Sequence, residues 1–239
     1  MGTLVNALAV ILGGVIGLLV RKGIKESWQY GINKALGVSV FVIGINGVIS
    51  NMFISEGGSL SASGELLLVV SLVIGTLIGE IVGIDSALER LSLAIEKKFP
   101  VAGFAAGFMN ATVLFCVGAM AIVGSISDGL TGNATTLYIK STLDFTSAII
   151  LSSALGAGVI FSALPILLYQ GAITLFAGAL ESIIAGELLR QICAVGYAII
   201  ICIGMNFLSS EKIKTANMLP SILVPIVYSY IVKITEILR

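Results

Sequence analysis

Four side chains in this sequence combine an ionisable group with an apolar setting: Glu80, Asp128, Lys140 and Asp144. A charge at the centre of a membrane helix costs about 2.5 to 3.5 kcal/mol, so such a group pairs with another or lines a water-filled cavity. Lys140 and Asp144 stand four residues apart, which puts them on one helical face where they can pair. Asp128 precedes them across a single connection, so the three can converge on one vestibule. Glu80, at the end of its apolar run, reads better as an interfacial carboxylate whose head reaches water. Uncharged polar residues add a second layer: Asn46, Asn110, Thr112, Tyr169, Gln170, Thr174 and Asn206. Singly, each is more often a hydrogen bond between helices than a ligand. Gln170-Gly171 after Pro165 predicts irregular backbone at membrane depth, whose freed carbonyls and half-helix ends can hold ions. The chemistry these residues suit is the binding and passage of a small ion or solute. Asp128, Lys140, Asp144 and Gln170 would lie on the path, with Asn110, Tyr169, Thr174 and Glu80 as further contributors.

Other chemistries find little support. Histidine is absent, which removes imidazole general bases, His-built zinc motifs and imidazole pH sensing. Cys116, Cys193 and Cys202 all fall in apolar stretches and read as buried thiols, so no metal or other cofactor is expected. Neither a Walker motif, an HExxH pair nor a Gly-x-Gly-Asp element occurs. A membrane-embedded enzyme would have only Asp128 and Asp144 as an acid pair. A scaffold or sensor acting through partner proteins would have little loop to work with. The 13 basic residues cancel the 13 acidic ones, so no global field recruits nucleic acid.

The elements that must position these residues are membrane helices. Of 239 residues, 57% are hydrophobic and 11% charged, against about a quarter charged in an average soluble domain. The fold expected is all-α: one polytopic helix bundle over residues 1–239. Apolar runs predict spans at about 3–20, 35–54, 65–84 and 104–126. The charge-free stretch between Asp144 and Glu181 suits two more, at about 142–162 and 165–183, with the break at Pro165. Spans at about 189–208 and 218–236 complete eight, and Pro220 and Pro225 should bend the last near its start. If the charge-free stretch crosses once, the count is seven. The Lys and Arg residues in alternate connections number nine on the side of the first loop and four on the other. That places the first loop in the cytoplasm and, with eight spans, both termini outside; with seven, the later loops change sides and the count is ten against three. Leu88, Leu91, Ile95 and Phe99 recur at helical spacing, predicting an interfacial helix over about 86–99. Ser55 to Gly64 reads as a flexible Ser-Gly connection.

With 28 glycines, the helices can approach closely. Gly75, Gly79 and Gly83 form a double small-xxx-small ladder, and Gly13 with Gly17, and Gly103 with Gly107, form single ones. Internal packing is the favoured use of the ladder and a homo-oligomer seam the other. Asn6-Ala7 followed by Gly14 matches Asn110-Ala111 followed by Gly118, and Lys34 before the second span resembles Lys140 before the fifth. If spans one to three correspond to four to six, the odd number of crossings makes the copies an inverted repeat.

Several longer stretches carry a resemblance. Gly2-Thr3-Leu4-Val5-Asn6-Ala7, Phe115-Cys116-Val117-Gly118-Ala119-Met120-Ala121-Ile122, and Asp128-Gly129-Leu130-Thr131-Gly132 are three of them. Lys140-Ser141 with Leu143-Asp144, Phe161-Ser162-Ala163-Leu164-Pro165 with Tyr169-Gln170-Gly171, and Ala216-Asn217-Met218-Leu219-Pro220 are the others. Together they resemble the DUF554 family of bacterial membrane proteins over essentially the whole chain. The resemblance implies a multi-pass protein of the bacterial inner membrane, in a family of unknown biochemical function described only as transport-protein candidates. It brings no catalytic or binding residues.

Overall fold

The computed structural model describes residues 1–21, 26–56, 59–87, 89–90, 104–116, 119–181, 184 and 186–237. Most of the expected interfacial helix, and Gly103 and Gly118, lie outside the described residues. The chain is helical as expected: α1 (Gly2–Arg21), α2 (Glu26–Met52), α3 (Glu65–Val82), α4 (Phe104–Cys116), α5 (Ala119–Thr131) and α6 (Thr135–Leu155). Then come α7 (Gly158–Phe161), α8 (Ala163–Leu175), α9 (Ala177–Glu181), α10 (Gly186–Leu208), a 3₁₀ segment (Thr215–Leu223) and α11 (Val224–Ile237). Among the described residues six helical stretches are long and apolar enough to cross a membrane, and α4 with α5, bent by 60°, make a seventh if they form one span. The expected count of eight included α6. Its 21 residues reach about 31 Å at 1.5 Å per residue, enough for a bilayer core. Lys140, Asp144 and its hydroxyl side chains make it less apolar than the others.

Three expectations change. The expected fifth span, 142–162, leaves Lys140 outside and Asp144 at its entry, whereas α6 starts at Thr135 and stops at Gly156, whose φ of 88° suits glycine alone. A helix can begin upstream of its charges when they pair with each other and are buried. Pro165 breaks nothing: it is the third residue of α8, in the first turn, where a missing N–H costs no helical bond. The sharp bend falls between α4 and α5 instead. The Ser-Gly connection is an antiparallel hairpin, β1 (Phe53–Glu56) and β2 (Ser59–Ala62), in register Phe53↔Ala62 to Glu56↔Ser59. A short Gly-Gly link between β-capable segments is a hairpin signal.

The contacts divide the chain into two compact units, Met1–Gly37 with Ser86–Ser182, and Val38–Asp85 with Ile183–Arg239. Neither coincides with one copy of the expected three-helix repeat. In the second unit Gly44 and Gly47 of α2 face Ile201 and Tyr197 of α10, and Gly204 faces Phe41. Gly75 and Gly79 of α3 lie against Ser221 and Asn217 of the 3₁₀ segment, so this part of the ladder is filled from within the chain. Gly83 ends α3 at φ 71°, its N–H donating to the Gly79 carbonyl at 2.8 Å. The first unit gathers α1 and α4 to α9, and its core joins Ala7, Val10, Ala111, Phe115, Ala148, Leu151, Val159, Ala163 and Ile166.

Candidate functional site

Small residues on α1 set the geometry of the first unit. Its buried face is Gly2, Thr3, Asn6, Ala7, Val10, Gly13, Gly14 and Gly17, a stripe at helical spacing. Methyl groups on Gly13 and Gly17 would overlap the carbonyl oxygens of Phe145 and Ile149 on α6, and one on Gly2 would meet Leu137. Residue numbers rise together on the two helices, so α1 and α6 run parallel and nearly in backbone contact. The close approach brings the polar end of α1 against the charged turns of α6. Gly129 does the same for α5 and α8, since a methyl there would overlap the Thr174 carbonyl oxygen.

The polar side chains then line up along α1. At its first turn, Asp128 Oδ2 accepts from the Gly2 N–H at 3.0 Å and from the Met1 ammonium at 3.0 Å. A carboxylate there satisfies an orphan helix N–H and complements the helix dipole. One residue on, the hydroxyls of Thr3 and Thr174 are 3.5 Å apart. One turn further, Asn6 Nδ2 donates to Gln170 Oε1 at 3.4 Å. The Asn6 amide also lies beside the Asp144 carboxylate, which pairs with the Lys140 ammonium. Gln170 and Thr174 are four apart on α8, so they rise as two rungs facing Thr3 and Asn6. Asn6 and Gln170 are completely buried, and Lys140 and Asp144 are 6% and 7% exposed. Asn6 Oδ1 and Gln170 Nε2 have no hydrogen-bond partner. Such buried orphans are expensive in any protein and call for water, a ligand or an alternative arrangement.

The two ends of this row differ. At one end, the turn from Leu130 to Asn133 beside Asp128 is exposed. Beyond Asn6, Asp144 and Gln170, the same three helices continue as Ala7 and Val10, Ala148 and Leu151, and Ile166 and Ala163, all in the apolar core. The site is therefore a polar half and an apolar half stacked along α1, α6 and α8.

Of the residues singled out from sequence, Asp128, Lys140, Asp144, Gln170 and Thr174 take part in this row. Asp144 is the tenth of 21 residues of α6, and not at the helix's entrance as expected. Gln170 and Gly171 sit in regular helix, so the expected irregular backbone there is corrected: the first turn of α8 absorbs Pro165 without disturbing the later turns. Asn110, on α4, and Tyr169, next to Gln170 on α8, are half-buried. Glu80 belongs to the other unit, where its exposed carboxylate bonds Lys214 at 3.2 Å and lies beside Asn217. Asn206 closes the turn after α10, accepting from the Ile213 N–H at 2.7 Å and donating to its carbonyl at 2.8 Å, and Asn46 is exposed. From sequence, Thr3 stands out only within the resemblance and Asn6 only within the resemblance and the repeat, neither as a site residue. The available signal is a primary amide inside an otherwise apolar span.

Comparison with known proteins finds relatives that are themselves uncharacterized, one of them named a membrane protein. The chain is 34% identical over 231 residues to the uncharacterized membrane protein YdfK of Bacillus subtilis, covering 97% of this chain and 96% of that one. It is 28% identical over 229 residues to the uncharacterized protein YqgA of Escherichia coli, covering 93% of each. No solved structure matches. The family profile described as a protein of unknown function, DUF554, matches residues 1–230, and the chain accordingly belongs to the DUF554 family.

Proposed function

We propose that this protein moves a small ion or solute across a bacterial inner membrane, with its path in the first unit beside Asp128, Lys140, Asp144 and Gln170. One observation carries the reading: the Lys140–Asp144 ion pair, buried in the first half of α6 beside the Asn6–Gln170 amide pair. A pair at that position is a costly way to hold helices together, since apolar side chains of similar volume do so at least as well. Ionisable groups inside spanning helices therefore mark ion or substrate pathways by default. The asymmetry of basic residues supports an orientation with the first loop in the cytoplasm and the start of α1 outside. We do not read the chain as an enzyme: Asp128 and Asp144 are engaged by separate partners, the start of α1 and Lys140, instead of by each other.

The test is flux. Purified protein in proteoliposomes should carry at least one member of a broad panel of monovalent ions and small polar solutes, and Asp144→Asn in a folded protein should abolish it. Absence of flux for the whole panel, or full flux in Asp144→Asn, would overturn the reading.

A further inference from the structure

We infer that the row from Asp128 to Asp144 is an access path for water, open at the end of the first unit where α1 begins and closed beyond Asp144 by the apolar core. The inference rests on the transport reading above for its purpose and on different observations for its existence. Asn6 and Gln170 are fully buried, yet each keeps one polar atom unpartnered, an acceptor on Asn6 and a donor on Gln170. Water is the small molecule that offers both a donor and an acceptor in the same place, and a slight parting of α1, α6 and α8 admits it between rungs that are fully buried as they stand. The protein's own bonds on the two rungs are long, 3.5 Å at Thr3–Thr174 and 3.4 Å at Asn6–Gln170, at or past the outer edge of good geometry. The outer end reaches the surface at the exposed turn beside Asp128. The inner end meets Ala7, Val10, Leu151 and Ile166, which offer water nothing to bond.

Charge balance sets what this water serves. The Lys140–Asp144 pair is neutral as a unit, so a hydrated line reaching it from one side delivers water to a carboxylate paired with a lysine of its own helix. That arrangement lets an arriving hydrated cation or proton compete with Lys140 for Asp144 without crossing the apolar half. The apolar half is then the closed gate on the other side, and conduction requires α1, α6 and α8 to part there.

Two measurements test the path, and neither needs a substrate. In the native sequence reconstituted in lipid, water-edited solid-state NMR should show fast magnetisation transfer from water to the side-chain amides of Asn6 and Gln170. Dry amides would overturn the inference. The second uses a cysteine-free background, with Cys116, Cys193 and Cys202 changed to Ala, and a charged thiol reagent added on the side that holds the start of α1. Thr174→Cys and Gln170→Cys should react on the order of a hundredfold faster than Ile166→Cys, because a charge entering a dry span carries the insertion penalty. Equal rates at Gln170→Cys and Ile166→Cys, or faster reaction at Gln170→Cys from the opposite side, would also overturn it. Asn6→Cys reads the same rung if Gln170→Cys does not fold. A wet row in a protein without flux would sink the transport reading alone. A dry row in a protein with flux would sink only this one.

Discussion

Asn6 Nδ2 lies 3.4 Å from Gln170 Oε1, across 164 residues of sequence and between two completely buried side chains. The bond joins α1 to α8 at the level where the polar half of the unit gives way to the apolar half. Replacing one amide leaves the other without its partner at depth, so Asn6→Leu should destabilise the protein by about 1 to 3 kcal/mol. Gln170→Leu should cost a similar amount. The double variant should recover much of the loss, because two apolar groups leave no orphan between them. A thermal or denaturant unfolding series in detergent gives the coupling, expected at about 0.5 kcal/mol or more. Additive losses would mean that the two amides do not act as a pair.

The ion pair on α6 separates stability from activity. Lys140→Met alone, or Asp144→Leu alone, strands a buried charge and should cost about 3 to 5 kcal/mol. The double variant Lys140→Met with Asp144→Leu removes both charges and should be about as stable as the native protein. Flux should be lost in all three. A double variant that keeps native flux would reduce the pair to a packing device, whatever its stability.

The helices themselves are legible in the sequence because an apolar run of about 20 residues permits few alternatives at membrane depth. Their ends are harder to read where polar residues belong to the helix. Lys140 stays outside an expected fifth span that starts at 142, whereas its pairing with Asp144 and burial allow α6 to begin at Thr135. Pro165 looks like a break because proline usually is one, and only its first-turn position shows otherwise. The site is half legible. Asp128, Lys140, Asp144 and Gln170 carry their own signal as polar groups in apolar surroundings. Thr3 and Asn6 need the parallel packing of α1 on α6 to show their role, a consequence of Gly13 and Gly17 that spacing alone does not orient.

Gly171 provides a sharp check on the corrected backbone. It sits in regular helix with open space where a Cβ would go. Gly171→Ala should therefore stabilise the protein by about 0.4 to 1 kcal/mol through the entropy of the unfolded chain. If the segment after Pro165 were unwound as a glycine-dependent ion site, the same substitution would destabilise it and impair flux. A melting series on this one variant decides between the two.

Gly79 decides what the glycine ladder of α3 is for. A methyl group at Gly79 would overlap the carbonyl of Asn217, and one at Gly75 would overlap the backbone of Ser221. Both obstacles are main chain, so neither can rotate away. Gly79→Ala should then weaken the fold of the second unit by about 1 to 3 kcal/mol, with Gly75→Ala doing the same. The Asn217 side chain accepts from the Asp85 N–H at 2.8 Å, and Glu80 bonds Lys214 at 3.2 Å. Displacing the 3₁₀ segment would disturb both contacts together. A ladder serving a homo-oligomer would behave differently, losing the oligomer while the monomer kept its melting temperature. Light scattering beside thermal unfolding of Gly79→Ala reads both quantities on one sample. A lowered melting temperature with unchanged mass identifies the ladder as the seat of the chain's own 3₁₀ segment.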